Sequence, residues 1–89
     1  MEEYQIVAKD GKLHLQTPGY FGRDLGELHE TWGGTLETRN FLAGNYVLED
    51  VSGMFSKGEK YRIRKPNGDE GYLKKRKSSS DTYVFDTDE

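Results

Sequence analysis

Hydrophobic and polar residues alternate on both sides of Asp10-Gly11, near the start of the chain. This dipeptide suits a two-residue type I′ turn, because both of its residues tolerate positive φ values. The turn predicts a hairpin of residues 4–9 and 12–17, with Ile6 opposite Leu15. Its other face is polar apart from Val7. The apolar face consists of Tyr4, Ile6, Ala8, Leu13 and Leu15.

A second alternating segment covers residues 60–65 and runs into Pro66-Asn67-Gly68. These three residues suit a type I turn with a left-handed glycine, which pairs Lys65 with Asp69. The register then directs Tyr61, Ile63 and Leu73 toward a core. The opposite face places a tyrosine among cations and consists of Lys60, Arg62, Arg64, Glu70, Tyr72, Lys74 and Arg76.

The segment between the hairpins has two interpretations. Asp24 and Glu27 have the spacing of a capping box, which favours a short helical turn over residues 25–31. The competing interpretation is a pair of strands around Gly33-Gly34. That pairing would set Glu30 opposite Glu37, and like charges opposite each other are unfavourable. The helical turn is therefore preferred. Further strands are predicted over residues 35–40, 46–51 and 82–86.

These patterns predict a single all-β domain over residues 1–86, with residues 87–89 frayed at the C-terminal end. The fold expected is a small twisted barrel or meander of five to six antiparallel strands, with at most one short helical turn. With 89 residues the chain is too short for a large enzyme with a deep pocket. Aliphatic residues are few, so most of the aromatic residues Tyr20, Phe21, Trp32 and Phe41, and Trp32 especially, are expected in the core.

Two segments resemble phrases of SH3-like barrels. They are Phe55-Ser56-Lys57-Gly58-Glu59-Lys60-Tyr61-Arg62-Ile63 and Gly71-Tyr72-Leu73. The resemblance covers about the last third of the chain, and the spacing between the two phrases is shorter than in the usual domain. It implies an SH3-like barrel as one form of the expected small barrel, and no function is inferred from it.

Charge divides the chain into three parts. Residues 1–56 carry a net charge of −5, residues 57–77 carry +6, and residues 78–89 carry −4, which gives −3 for the whole chain. Such asymmetry bears on partners and association rates rather than on fold.

The basic hairpin predicts a module that binds an anionic surface, with single-stranded or duplex nucleic acid as the first candidate. Cations along a surface can meet phosphates, and an exposed aromatic ring can stack on a base. The alternative for this face is an ordinary solvated strand. The predicted nucleic-acid-binding residues are Lys60, Arg62, Arg64, Tyr72, Lys74 and Arg76.

The acidic remainder of the chain supports a second hypothesis. A protein-protein adaptor or inhibitor could dock on a macromolecular target by complementary charge. Its interface residues would be Glu27, Glu30, Trp32 and Glu37. Exposed aromatic residues in the glycine-rich loops would then act as interface anchors.

Catalysis is not expected. His14 and His29 lack metal-ligand spacing, and Ser78, Ser79 and Ser80 have no motif that would activate a nucleophile. We expect no enzyme activity, no cofactor, no metal and no small-molecule substrate. With no cysteine, no signal peptide and no apolar span, the expected compartment is the cytoplasm, with no membrane partner. The sequence does not decide whether the chain dimerises through an open sheet edge.

Overall fold

The computed structural model describes residues 2–89 as an all-β protein without helices. Nine short strands account for its regular structure, so the all-β prediction is confirmed, although the strands are more numerous than the five to six expected. They are β1 (Glu3–Lys9), β2 (Lys12–Gln16), β3 (Asp24–Glu27), β4 (His29–Glu30), β5 (Leu36–Glu37), β6 (Val47–Asp50), β7 (Lys60–Arg64), β8 (Glu70–Lys75) and β9 (Thr82–Asp86).

All strands belong to one antiparallel sheet that nearly closes into a barrel. Its order is β3, β2, β1, β9, β8, β7, β6, β5, β4. The two outermost strands, β3 and β4, follow each other in the chain with only Leu28 between them. One bent segment therefore forms both edges of the sheet, and few edge groups are left unpaired.

Because neighbouring strands are antiparallel, the connections alternate between the two ends of the barrel. We call one end the Trp32 end; it carries residues 10–11, 31–35, 51–59 and 76–81. We call the other the Phe41 end; it carries residues 17–23, 38–46 and 65–69.

The first hairpin has the predicted turn and register. Asp10 and Gly11 both have positive φ values, +53° and +77°, as a type I′ turn requires. Ile6 lies opposite Leu15 as expected. The predicted apolar face is only partly buried, because Ala8 and Leu13 at the turn end are exposed. The hairpin extends beyond the core there.

The second hairpin and the last strand also follow the prediction. The Lys65 amide donates to the Asp69 carbonyl at 2.8 Å, and Tyr61 lies opposite Leu73. Strand β9 has the predicted bounds. The strands expected over residues 35–40 and 46–51 are shorter, since β5 and β6 cover only part of them.

The helical turn predicted over residues 25–31 is wrong, because β3 and β4 occupy this segment. Asp24 Oδ1 accepts a hydrogen bond from the Gly26 amide at 2.9 Å, which is an Asx turn rather than a helix cap. The register between β2 and β3 shifts beside Gly26, whose φ is +129°. This bulge places Leu25 and Leu28 on the same buried side, so their three-residue spacing imitates a helix.

The pairing of β4 with β5 avoids the clash that favoured the helix. Glu30 lies opposite Leu36, and His29 lies opposite Glu37. The turn between β4 and β5 is one residue longer than the two-residue turn at Gly33-Gly34 that the strand interpretation assumed. The extra residue shifts the register by one. Two carboxylates are therefore not forced together.

The core is small and contains three tyrosines. Its fully buried side chains of largest volume come from β2, β3, β6, β7 and β8: Leu15, Leu25, Leu48, Ile63 and Leu73. Tyr4, Tyr61 and Tyr83 are also buried, and the Tyr61 and Tyr83 rings meet edge to face at 5.6 Å. The expectation that most of Tyr20, Phe21, Trp32 and Phe41 are buried is wrong, because all four are exposed. Five aromatic side chains are exposed at loop tips: Tyr20, Phe21, Trp32, Phe41 and Phe55.

Candidate binding surfaces

The basic hairpin presents the predicted cations around Tyr72 on the outer face of β7 and β8. The Lys60 ammonium lies 5.5 Å from the centre of the Tyr72 ring, and the Arg62 guanidinium lies 6.0 Å from it. Tyr72 is half-buried, and its hydroxyl is 3.5 Å from Glu89 Oε2. The ring is therefore occupied by cations of the same chain.

Neighbouring strands bring carboxylates onto this face. Glu49 of β6 pairs with Arg62 at 3.2 Å, and Asp86 of β9 pairs with Lys74 at 3.3 Å. A third carboxylate, from Glu3 of β1, pairs with Arg76. Along the sequence Glu70 is the one acid among the cations of this face, and the folded sheet supplies further carboxylates from other strands. Hydrogen bonds from the Asp88 amide and from Lys74 hold the pKa of Asp86 below its usual value.

Only part of the basic set is left without a carboxylate partner. Among residues 2–89, Lys60 and Arg64 have no carboxylate oxygen within 4.0 Å. Arg64 is exposed and lies opposite Glu70 in the register. The face as a whole thus combines cations and anions instead of forming an uninterrupted positive patch.

Two of the three predicted acidic interface residues make ion pairs within the chain. Glu27 lies 3.9 Å from Lys12 and 3.6 Å from His29. Glu37 pairs with Arg39 at 2.7 Å, and this hydrogen bond holds the pKa of Glu37 below its usual range. Glu30 is exposed and makes no ion pair with any residue from 2 to 89.

Trp32 lies at the tip of a hydrogen-bonded turn and is fully exposed. The Thr31 amide donates to the Thr35 carbonyl at 2.9 Å, and the two threonine hydroxyls are 2.7 Å apart. The Gly34 amide donates to the Thr31 carbonyl at 3.1 Å. The backbone of this turn is thus fixed while the indole faces solvent.

The loop of residues 51–59 places two more apolar side chains, Met54 and Phe55, at the Trp32 end. Its base is tied by Ser52, whose hydroxyl accepts hydrogen bonds from the Glu59 and Lys60 amides, both at 2.9 Å. The Tyr83 hydroxyl donates to the Gly58 carbonyl at 2.5 Å. The base is therefore constrained, and the apolar tip is solvent-exposed.

At the Phe41 end, Asn40 organises the loop that carries Phe41 and Leu42. Its Oδ1 accepts hydrogen bonds from the Leu42 and Ala43 amides at 2.9 and 3.0 Å. Its Nδ2 donates to the Leu25 carbonyl at 2.7 Å, which ties the loop to β3. On the other side, a Cβ at Gly44 would lie 2.5 Å from Pro66, so glycine allows close contact with the β7–β8 turn.

The neighbouring loop of residues 17–23 carries Tyr20 and Phe21, whose rings pack edge to face at 5.0 Å. The Thr17 amide donates to the Arg23 carbonyl, and the Arg23 amide donates to the Thr17 hydroxyl, both at 2.9 Å. These bonds close the loop at its base. Tyr20, Phe21, Phe41 and Leu42 are 93–99% exposed.

The sequence reasoning missed these apolar loop tips as a group. Glycine was the available signal, because Tyr20-Phe21 lies between two glycines, Trp32 precedes two, and Met54-Phe55 follows one. Apolar residues enclosed by turn formers do not continue a strand pattern. Large apolar side chains that are exposed together often mark interaction sites.

Chemistry-bearing side chains are sparse elsewhere. His14 Nδ1 lies 3.0 Å from Asp24 Oδ2, and Lys9 lies 3.3 Å from the same oxygen. Burial raises the pKa of Asp24, but hydrogen bonds from the Gly26 amide, His14 and Lys9 outweigh it and lower the pKa. No group of three or more acidic or histidine residues in residues 2–89 is arranged to hold a metal ion. The same residues include no helix that could span a membrane.

Comparison of the chain with models of protein families, with curated proteins and with solved structures finds no match.

Proposed function

We propose that this protein is a small non-catalytic binding module that docks on another protein through its Trp32 end, as an adaptor or inhibitor. The observation that carries the proposal is the fully exposed indole of Trp32 on a hydrogen-bonded turn. Tryptophan is among the residues that contribute most to binding energy when a partner buries them. The lack of cysteine fits a reducing compartment, so the cytoplasm is the compartment we propose.

The fixed backbone of the Trp32 turn favours binding. Because hydrogen bonds across Thr31 and Thr35 already order the turn, binding costs little additional conformational entropy. Met54 and Phe55 lie at the same end of the barrel and can enlarge the contact. The partner surface that fits best is an apolar pocket that accepts the indole.

Charge adds a second requirement on the partner. Glu30 immediately precedes the turn and has no cation within ion-pair distance among residues 2–89, so a lysine or arginine of the partner can pair with it. Glu27 and Glu37 already pair within the chain and should contribute less. We expect the effects to decrease from Trp32 to Glu30 and then to Glu27 and Glu37.

The test combines capture with titration. Proteins from a cell extract are captured on the wild-type chain, and on the Trp32→Ala and Tyr72→Ala variants in parallel. A protein retained by wild type and Tyr72→Ala but lost with Trp32→Ala is then purified and titrated against each chain by calorimetry. Removal of a hot-spot side chain that contributes about 2 kcal/mol to the binding free energy weakens the affinity by about thirtyfold.

A direct readout is provided by Trp32 because it is the only tryptophan. Incorporation of 5-fluorotryptophan gives one ¹⁹F resonance from this chain, which should shift when the unlabelled partner binds. If every protein that wild type retains from the extract is also retained by Trp32→Ala, the proposal is wrong.

Nucleic-acid binding by the basic hairpin is a second candidate. Its support is the Tyr72 ring flanked by Lys60 and Arg62, together with the exposed Arg64, which makes no ion pair with any of residues 2–89. The carboxylates on the same face count against nucleic-acid binding, because they would repel phosphates.

A fluorescence-anisotropy titration with labelled single-stranded and duplex oligonucleotides at two salt concentrations tests this candidate. Phosphate contact predicts binding that weakens steeply with salt and is lost in Arg62→Glu with Arg64→Glu. Stacking predicts that Tyr72→Ala weakens single-strand binding more than duplex binding. Glu49→Gln with Asp86→Asn should strengthen binding. Absence of binding at low salt would eliminate this candidate.

A further inference from the structure

We propose that two copies of this chain form a two-fold symmetric dimer through their Phe41 ends. The inference does not rest on the proposed function, because the Trp32 turn lies at the opposite end of the barrel. Dimers built this way would present their two Trp32 turns outward, in opposite directions.

The apolar area at the Phe41 end is sufficient for a small stable dimer. Tyr20, Phe21 and Phe41 are almost fully exposed, and an aromatic side chain can bury about 150–250 Å². Three such side chains supply about 900–1,500 Å² over two copies, and Leu42 adds to this. Specific interfaces bury about 1,200–2,000 Å² in total, so the patch reaches the range of a stable contact.

The arrangement of the three connections at this end makes the surface self-complementary. The loop of residues 38–46 lies between the others, because Asn40 bonds to Leu25 next to the loop of residues 17–23 and Gly44 abuts Pro66 of the β7–β8 turn. We place the two-fold axis in the contact plane, through the central loop and perpendicular to the line that joins the outer two connections. The loop of residues 17–23 in one copy then faces the β7–β8 turn of the other.

Charge favours this juxtaposition. Arg23 on the first loop and Asp69 on the turn are both exposed, and neither makes an ion pair with another residue among 2–89. The two-fold arrangement brings Arg23 of one copy toward Asp69 of the second copy, twice per dimer. The apolar loop tips meet between these two pairs, as expected for an interface with an apolar centre and a polar rim.

Sedimentation equilibrium of the full chain over about 1 µM to 1 mM tests the proposal, since an interface at the small end of the standard range is expected to bind with micromolar affinity. The weight-average mass should rise from one chain to two with concentration. Phe41→Ser with Leu42→Ser should keep the protein monomeric throughout. Met54→Ser with Phe55→Ser, at the other end, is the matched control and should dimerise like wild type.

A charge exchange tests the geometry of the pair. Arg23→Glu or Asp69→Arg alone sets like charges opposite each other and should weaken the dimer by about tenfold or more. The double variant restores opposite charges and should recover most of the affinity. Far-ultraviolet circular dichroism of each variant confirms that the barrel is intact.

Three outcomes would overturn the proposal. The first is that wild-type protein sediments as a single chain over the whole concentration range. The second is that the dimer is lost with Met54→Ser and Phe55→Ser but kept with Phe41→Ser and Leu42→Ser. Failure of the double charge variant to regain affinity would refute the two-fold arrangement even if a dimer forms.

Discussion

The strands and the loops of this protein use apolar side chains in opposite ways. Leu15, Leu48 and Leu73 lie on strands and are completely buried in the barrel, whereas Phe41 and Leu42 lie on a loop and contact mainly solvent. Both groups are held by well-defined backbone hydrogen bonding. In a small barrel the core has limited volume, so apolar residues beyond that volume must lie outside it. Here they are collected at the two ends.

The two groups of apolar side chains should affect different properties of the protein. Apolar residues on strands should determine the free energy of unfolding, and apolar residues on loop tips should determine which surfaces associate. Polar loop residues occupy an intermediate position, because Asn40 and Ser52 hold the tips in place without facing a partner themselves.

The largest expected effect is that of Leu73→Ala, with Leu42→Ala as its matched control. Leu73 is fully buried, so truncation should lower the free energy of unfolding by about 2–5 kcal/mol. Leu42 is 93% exposed, so the same substitution should change it by less than about 0.5 kcal/mol. Urea unfolding monitored by circular dichroism, at micromolar protein concentration, measures both. Similar losses in the two variants would contradict the division into two groups.

The next effect should come from Asn40→Ala. Its side chain makes three hydrogen bonds: two from amides within the β5–β6 loop and one to the Leu25 carbonyl of β3. Loss of these bonds leaves the Leu25 carbonyl without its donor, which should cost about 1–3 kcal/mol of unfolding free energy. The matched control is Asn45→Ala, which removes the hydrogen bond that Asn45 accepts from the Arg39 amide. Amide hydrogen exchange should be faster at Leu42 and Ala43 in Asn40→Ala only; unchanged protection there would show that Asn40 does not order the loop.

Much of the fold follows from local patterns in the sequence. The two hairpins are predicted correctly because Asp10-Gly11 and Pro66-Asn67-Gly68 fix both the turn and the register of the strands next to them. The segment around Leu25 is not predicted, because its burial depends on a bulge opposite β2. A bulge and a helix give the same three-residue spacing, and only the pairing with a distant strand distinguishes them.

The candidate surfaces were harder to predict, for two separate physical reasons. The cations of β7 and β8 can be listed from the sequence, but Glu3, Glu49 and Asp86 reach them only through pairing with other strands. Exposure of Trp32 depends on how many side chains the barrel can enclose, which is a property of the closed sheet rather than of the turn. Neither fact is visible in a local pattern.

A smaller effect is expected from Tyr83→Phe at alkaline pH. Burial of the hydroxyl raises the pKa of Tyr83 above the usual value of 10, so the folded state keeps its proton after the unfolded chain has lost it. The contribution of Tyr83 to the free energy of unfolding should therefore be constant below about pH 10 and fall above it. Tyr83→Phe should lose about 1 kcal/mol at pH 7, with the Gly58 hydrogen bond, and should fall less steeply above pH 10. If the free energies of unfolding of wild type and Tyr83→Phe changed in parallel from pH 9 to 11.5, Tyr83 would not be the source of the alkaline loss of stability.

The smallest effect is expected from Glu49→Gln, which removes the carboxylate that pairs with Arg62 on the outer face. Both side chains are about half exposed, 48% and 55%, and exposed ion pairs contribute about 0.2–1 kcal/mol. A double-mutant cycle with Arg62→Gln, measured at low and at high salt, isolates this pair. The coupling should be small and should decrease with salt, because solvent ions screen exposed charges. A coupling above about 2 kcal/mol, independent of salt, would mean that the pair is structurally important. The outer face would then contribute to the free energy of unfolding as the barrel interior does. Stability would no longer depend on the buried strand residues alone, and the division between stability and binding would fail.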